Sequence, residues 1–202
     1  MTPPPLDFGI FIAYLLPGVI AVYGLSLAVP RVRDLLRGDS SHLGLAGAVI
    51  VAIVALAAGR ILSICRTATV DVTFGVAMPF SSCARYPFLG GIPSIAVDYR
   101  QLLDSGHREA FLLAVANEQR PYQFCGNTAL AVALASICWL WSATKQTGVA
   151  RKALLAGFAA ALVIVLYLGA RSSYYGYMSA MAAINGVGFT PVDRLGKPCP
   201  AR

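Results

Sequence analysis

ANEQRPYQFCGNTALAVALASICWLW, Ala116 to Trp141, changes character partway along. It opens polar, with Glu118, Arg120 and Pro121, and closes as an almost wholly apolar run. A helix needs about 20 apolar residues to cross the roughly 30 Å of bilayer hydrocarbon. Phe124–Ala143 supplies 20, and three further runs do the same work: Phe8–Val29 with 22, Leu43–Ile64 with 22 and Ala153–Ala170 with 18. None alternates with the two-residue period of a barrel strand, and only helices or closed barrels satisfy their backbone in lipid. The runs therefore predict an all-α integral membrane protein of four transmembrane helices.

Composition agrees. The 202 residues are 57% hydrophobic and 12% charged, about half the charged fraction of an ordinary soluble domain. Sixteen Lys and Arg against nine Asp and Glu give a net charge of +7. In such a chain the excess reflects orientation and lipid headgroups, and no basic stretch interleaved with aromatics points to nucleic acid. The N-terminal MTPPPLDFG lacks Lys and Arg, and the run after it exceeds a signal-peptide core, so the first span is expected to be retained.

Basic residues set the orientation. Connector 30–42 holds Arg31, Arg33 and Arg37, and connector 144–152 holds Lys145, Arg151 and Lys152. Both lie on one side by parity, and the positive-inside rule places them in the cytoplasm of a cell (inner) membrane. The termini and connector 65–123 then face outward. That connector is expected to be a small helical and irregular module: loop through VTFGVAMPFSSCARYPFLGGIPS, then a helix carrying Tyr99, Leu102, Leu103, Ala110, Phe111 and Ala114 on one face behind Asp98. Pro121 is expected to break this helix from the third span. Residues 171–202 form the remaining segment, beginning as an interfacial extension of the fourth helix. Tyr122, Phe124, Tyr167, Tyr174 and Tyr175 serve as headgroup anchors and Arg171 snorkels.

Small residues recur every four positions: Gly44, Ala48 and Ala52, then Ala55, Gly59 and Ser63 in the second span, Ala131 and Ala135 in the third, and the pairs Gly157–Ala161 and Ala156–Ala160 in the fourth. Such stripes let helix backbones approach closely. Whether they face helices of this chain or of another is open at this stage. Pro17-Gly18 predicts a kink in the first span.

Catalytic constellations are missing. Cys65, Cys83, Cys125 and Cys199 lie on or near the outer side, where four thiols allow three disulfide pairings, but no Cys-x-x-Cys supports thiol–disulfide chemistry. Cys138 sits within the bilayer. The two histidines, His42 and His107, fall in connectors on opposite faces, which excludes a paired-histidine metal site. Ser142–Lys145, SATK, fits Ser-x-x-Lys only formally, since Lys145 reads as a positive-inside residue. No catalytic, cofactor-binding or metal-binding residue is assigned.

The strongest polar cluster gathers at one membrane surface. The second span exits as GRILSICRTATVD, with Arg60, Arg66 and Asp71; the third begins near Glu118, Arg120, Gln123 and Asn127. Arg66 and Asp71 lie roughly 140° apart round a helix, so each needs a partner on another element, with Arg120 or Glu118 as candidates. Gln123 and Asn127 can bridge helices. This collar reads as a structural clamp, with an ion-selecting ring in an oligomer as the alternative.

PGVIAVYG (Pro17–Gly24), the Arg66 and Asp71 pair, and RPYQFCGN (Arg120–Asn127) together resemble a family of small four-span bacterial membrane proteins of no assigned activity. In that family aromatics stand where Pro121 and Cys125 stand here, and a His-rich stretch follows the Asp where this chain has VTFG. The resemblance implies a fold and no activity. The expected function is that of a noncatalytic helix bundle acting through self-assembly or a membrane partner, in contact with membrane lipids; the alternative is an oligomeric channel or pore.

Overall fold

The computed structural model describes residues 8–37, 45–76, 87–93, 108–142, 148–186 and 189–190. Helix α1 is Phe8–Ala28, α2 Pro30–Arg37, α3 Leu45–Phe74, α4 Arg108–Ala114, α5 Arg120–Ser142 and α6 Val149–Ile184. A 3-10 turn occupies Pro87–Leu89 and a π-helical turn Val115–Gln119. There is no β-strand among the described residues. Four stretches are long and apolar enough to cross a membrane: Phe11–Ala28, Gly47–Phe74, Arg108–Ser142 and Val149–Ile184. The chain is thus an all-α, multi-pass membrane architecture.

Several boundaries differ from the sequence expectation. The second span was expected to end at Ile64, but α3 continues to Phe74, so Arg66 and Asp71 lie within it. The fourth was expected over 153–170, but α6 begins at Val149, taking Arg151 and Lys152 into its first turns, and runs on to Ile184. It ends at Gly186, whose φ of 64° is the left-handed conformation that closes a helix C-terminus. Connector 30–42 contains a helix. Pro30 has no N–H to give to the preceding turn and its fixed φ suits a first helical position, so α1 stops and α2 starts one residue apart.

Pro121 does not break the chain before the third span. The helical run is continuous from Arg108 to Ser142, because the π turn absorbs the proline. The Arg120 N–H reaches back to the Val115 carbonyl, one residue further than in an α-helix. That wider turn makes room for the Pro121 ring, which would otherwise clash with the carbonyl of Asn117. The expected helical face survives in part: Phe111 and Ala114 are buried and Ala110 is exposed. Asp98, Tyr99, Leu102, Leu103 and both histidines, His42 and His107, lie outside the described residues, as do Gly44, Lys145, Cys83 and Cys199.

The chain divides into two compact units. The first comprises Met1–Arg66 and Phe124–Tyr167. Here the small residues answer the question the sequence left open. A Cβ on Gly18 would lie 1.7 Å from the Ala55 carbonyl oxygen, one on Gly59 would lie 2.0 Å from the Tyr14 carbonyl oxygen, and one on Gly24 would lie 2.5 Å from the Ala135 Cα. The Ala55–Gly59 and Ala131–Ala135 stripes therefore face α1 of the same chain. With them pack Ala21, Leu62 and Ala131, flanked by Ile20, Leu130 and Leu134. The fourth-span pairs are different. Gly157, Ala160 and Ala161 are exposed and a Cβ on Gly157 would meet nothing within 4 Å.

The second unit comprises Thr67–Gln123 and Leu168–Arg202. Its buried residues include Phe74, Ile92, Phe111, Tyr122, Met178 and Met181.

Contact with a neighbouring backbone leaves no room for a side chain. Gly18→Val is therefore expected to lower stability by at least about 1–3 kcal/mol, seen as a lower thermal midpoint in detergent micelles. Gly148→Ala, where a Cβ would meet nothing within 4 Å, is expected to leave that midpoint unchanged.

Candidate functional site

The collar residues are best followed one carbonyl at a time. Pro17, inside α1, has no N–H, so the carbonyl four residues earlier, that of Ala13, loses its helical donor. In hydrocarbon no water replaces it. Asn127 of α5 does: its fully buried side chain donates Nδ2–H to the Ala13 oxygen at 3.1 Å. Asn127 Oδ1 and the neighbouring Thr128 Oγ1 are buried without a hydrogen-bond partner among the described residues, a pair of polar atoms suited to an internal water. At the next residue of α1, Arg60 of α3 places its guanidinium 5.2 Å above the Tyr14 ring and donates Nη1–H to the Tyr14 hydroxyl at 3.3 Å. Arg66, on the same helix as Arg60, is buried, with 5% of its surface exposed.

The second unit holds the other collar residues. Asp71 accepts a short hydrogen bond from the Tyr122 hydroxyl. The Tyr122 ring lies against Phe74 and Tyr174, with centroids 6.0 Å and 5.1 Å away, and Phe74 and Tyr174 are 5.1 Å apart. These three tilted rings close the end of α3 over a buried Phe74. Glu118 lies on the π turn with its carboxylate against Gly176, where a Cβ would come within 2.6 Å of Oε2. Arg120 and Gln123 are half-buried. Beside Asp71 is a cavity of about 320 Å³ lined also by Gly75, Gly91, Ile92, Pro93 and Tyr174.

Arg171 organises this unit, and the snorkelling role expected for it is wrong. Its side chain is fully buried. The guanidinium donates to five backbone carbonyls: Phe88 at 2.7 Å from Nε, Thr73 at 3.1 Å from Nη1, and Val76, Leu89 and Gly90 at 2.8, 3.3 and 2.6 Å from Nη2. Thr73 and Val76 stand at the C-terminal end of α3, where helical carbonyls lack donors and the helix dipole is negative. Leu89 and Gly90 end the 3-10 turn in the same way. Phe74 packs beneath the guanidinium, its ring centroid 5.8 Å from Cζ, and the Ile92 N–H adds a 2.9 Å bond to the Phe74 carbonyl. A guanidinium is the only side chain with five N–H donors in a plane, which fits it to hold two chain ends at once.

The headgroup-belt reading also fails for Tyr122, which is 6% exposed and bound to Asp71. Tyr174 stacks in the ring trio and Tyr175 packs on Phe189 at 5.4 Å. Phe124 and Tyr167 are half-buried. The physical reason is that the apolar sequence runs on past Arg171, so its helix stays within a packed environment. Cys65 and Cys125 are thiols, neither in a disulfide, and Cys138 is a buried thiol. Ser142 Oγ donates to the Trp139 carbonyl at 3.1 Å. No group of three or more metal-ligating side chains occurs among the described residues.

One sign of the Arg171 site was present in the sequence. An arginine with eighteen uncharged residues before it and apolar chain after it lies inside a helix, where it needs acceptors, and the Gly90-Gly91 pair offers carbonyls that side chains do not screen. Chemically the arrangement fixes backbone.

Removing the guanidinium strands its acceptors in a buried site. Arg171→Met leaves neutral carbonyls without their donor and is expected to cost at least about 1–3 kcal/mol, the scale for a buried acceptor left unsatisfied. Amide exchange in peptides covering Val70–Val76 and Phe88–Ile92 should rise sharply, with Arg171→Lys restoring only part of the protection. Tyr122→Phe keeps the rings and loses the bond to Asp71, with an expected cost of about 1–3 kcal/mol in the same unfolding assay. Compared with family models, curated proteins and solved structures, the chain matches none of them, so the family resemblance rests on the Pro17–Gly24, Arg66/Asp71 and Arg120–Asn127 motifs alone.

Proposed function

We propose that this chain is a noncatalytic membrane helix-bundle protein that works by assembling with a second copy of itself through α6. One observation carries the reading. The apolar window of Val149–Ile184 is only 6% buried, against 44% for the first span and 33% for the third. Along its uncovered side Ala153, Gly157, Ala160, Ala161 and Ile164 are all exposed and share one helical face. Small residues at this spacing allow two helices to meet backbone to backbone in lipid, and a face that is complementary to itself suits a two-fold pair. The small-residue stripes of α1, the second half of α3 and α5 are already used within the chain.

The collar supports the same reading over a pore. Arg66 and Asn127 are buried, Asp71 is engaged by Tyr122, and a conducting lumen would need such groups on a face shared between copies. The setting proposed is a bacterial cell membrane, with 30–42 and 144–152 in the cytoplasm and the termini and 65–123 outside. The basic, partly apolar α2 at the end of the first span fits a cytoplasmic interface with anionic lipid.

The test is native mass in lipid nanodiscs. The wild-type chain is expected to run as a dimer, and Gly157→Leu combined with Ala161→Leu to run as a monomer of unchanged helicity. A wild-type monomer, or a dimer indifferent to both substitutions, would remove the α6 interface. A closed ring of four or more copies would restore the channel reading.

A further inference from the structure

The side of α6 opposite Gly157 does something else. Leu155 and Ala159 point away from Gly157 round the helix and, with Ala156 and Phe158 on the flanks, line a groove of about 320 Å³ with α1 and α5. Its walls are almost wholly apolar: Ile20, Tyr23 and Leu27 from α1, Ala135 and Trp139 from α5, and Ala159 from α6 are typical. The volume falls in the range of specific small-ligand sites, roughly 300–1,000 Å³. Tyr23 and Leu27 also line a second hollow of about 230 Å³ with Ser26, Arg33 and Leu36, so the two hollows adjoin along α1 and the second is lined by a cation.

That cation is held in place. Pro30 has no N–H for the Ser26 carbonyl, and the Ala28 turn leaves Leu27 short of a donor; Arg33 serves both, with Nε to Ser26 at 3.1 Å and Nη2 to Leu27 at 3.1 Å. Its Nη1 makes no hydrogen bond among the described residues. A half-buried guanidinium is thus fixed by its own helix end, with one edge left for an anion at the head of an apolar channel. Arg31 stands exposed on the same short helix.

We infer that this is a binding site for an anionic phospholipid, with one acyl chain in the α1/α5/α6 groove and the phosphate on Arg33. An acyl chain matches apolar walls without polar teeth, and a phosphate takes the bidentate edge that a guanidinium presents. A helix of a partner protein would match the groove but leave the Arg33 edge without a counter-charge.

Trp139 lies in the groove and reports on its contents. Trp141, the second tryptophan, is 86% exposed and is removed as Trp141→Phe. The purified full chain carrying that change is reconstituted in phosphatidylcholine vesicles with rising fractions of dibrominated phosphatidylglycerol or dibrominated phosphatidylcholine. Half-quenching of Trp139 is expected at an about five-fold lower mole fraction of the anionic lipid, the ratio one basic residue gives at an anionic surface. Arg33→Gln should make the two curves coincide, with helicity by circular dichroism showing that α1 is intact. Ala159→Phe fills the groove without touching the Arg33 bonds and should weaken quenching by both lipids. Coincident curves before any Arg33 change, selectivity that survives Arg33→Gln, or a Trp139 that neither lipid reaches would each overturn the site.

Discussion

The structure depends on carbonyl oxygens that have lost their helical N–H. Within a regular helix each carbonyl is served by the amide four residues on, and the bilayer allows no other arrangement without penalty. This chain departs from regularity at several points and supplies a side-chain donor at three of them. Asn127 serves Ala13, Arg33 serves Ser26 and Leu27, and Arg171 serves the ends of α3 and of the 3-10 turn. The donors are long or amide-bearing side chains that reach from another turn or another helix. That is why polar residues sit at positions where an apolar span would otherwise prefer Leu or Ala.

The prolines mark those points. Pro17 frees a carbonyl that ties α1 to α5, while Pro30 frees one that ties α2 back onto α1. Pro121 is handled differently, since a π turn widens the helix and the α4–α5 run continues. One residue type thus yields a freed carbonyl with a donor from another helix, a corner with a donor from the next helix and an uninterrupted helix. The outcome follows from what the neighbouring residues offer and not from the proline alone. Glycine works beside it: close contact at Gly18, Gly59 and Gly24 brings α1 near enough to its neighbours for short side chains such as Asn127 to reach.

Much of the fold was legible in advance, because runs of uncharged residues near 20 long have one structural meaning. What was not legible is instructive. The end of α3 was placed too early, since Arg66 and Asp71 read as the limit of an apolar run, and the start of α6 too late, since Arg151 and Lys152 read as connector. The breaking role given to Pro121 rested on α-helical geometry and missed the wider turn. Small-residue spacing could not say which stripes face inward; that depends on the position of α1, a tertiary fact. The sequence could show that Arg171 needs acceptors but not which ones, since they are 81 to 98 residues away and are main-chain atoms that no sequence motif encodes. Asn127, by contrast, was flagged as a helix bridge, but its target, the carbonyl beneath Pro17, was not.

The distance along the chain between Arg171 and its acceptors has a consequence for biogenesis. Residues 73–90 leave the ribosome well before residue 171 does, and at about 5–20 residues per second the interval is about 4–20 s. Throughout it the carbonyls of Val76, Phe88, Leu89 and Gly90 lack the guanidinium that serves them in the finished chain, and water must take its place. The segment that closes the end of α3 therefore waits at an aqueous surface or within the insertion machinery until α6 has been made. Closure of the second unit around Arg171 is accordingly expected only once the last span has been synthesised.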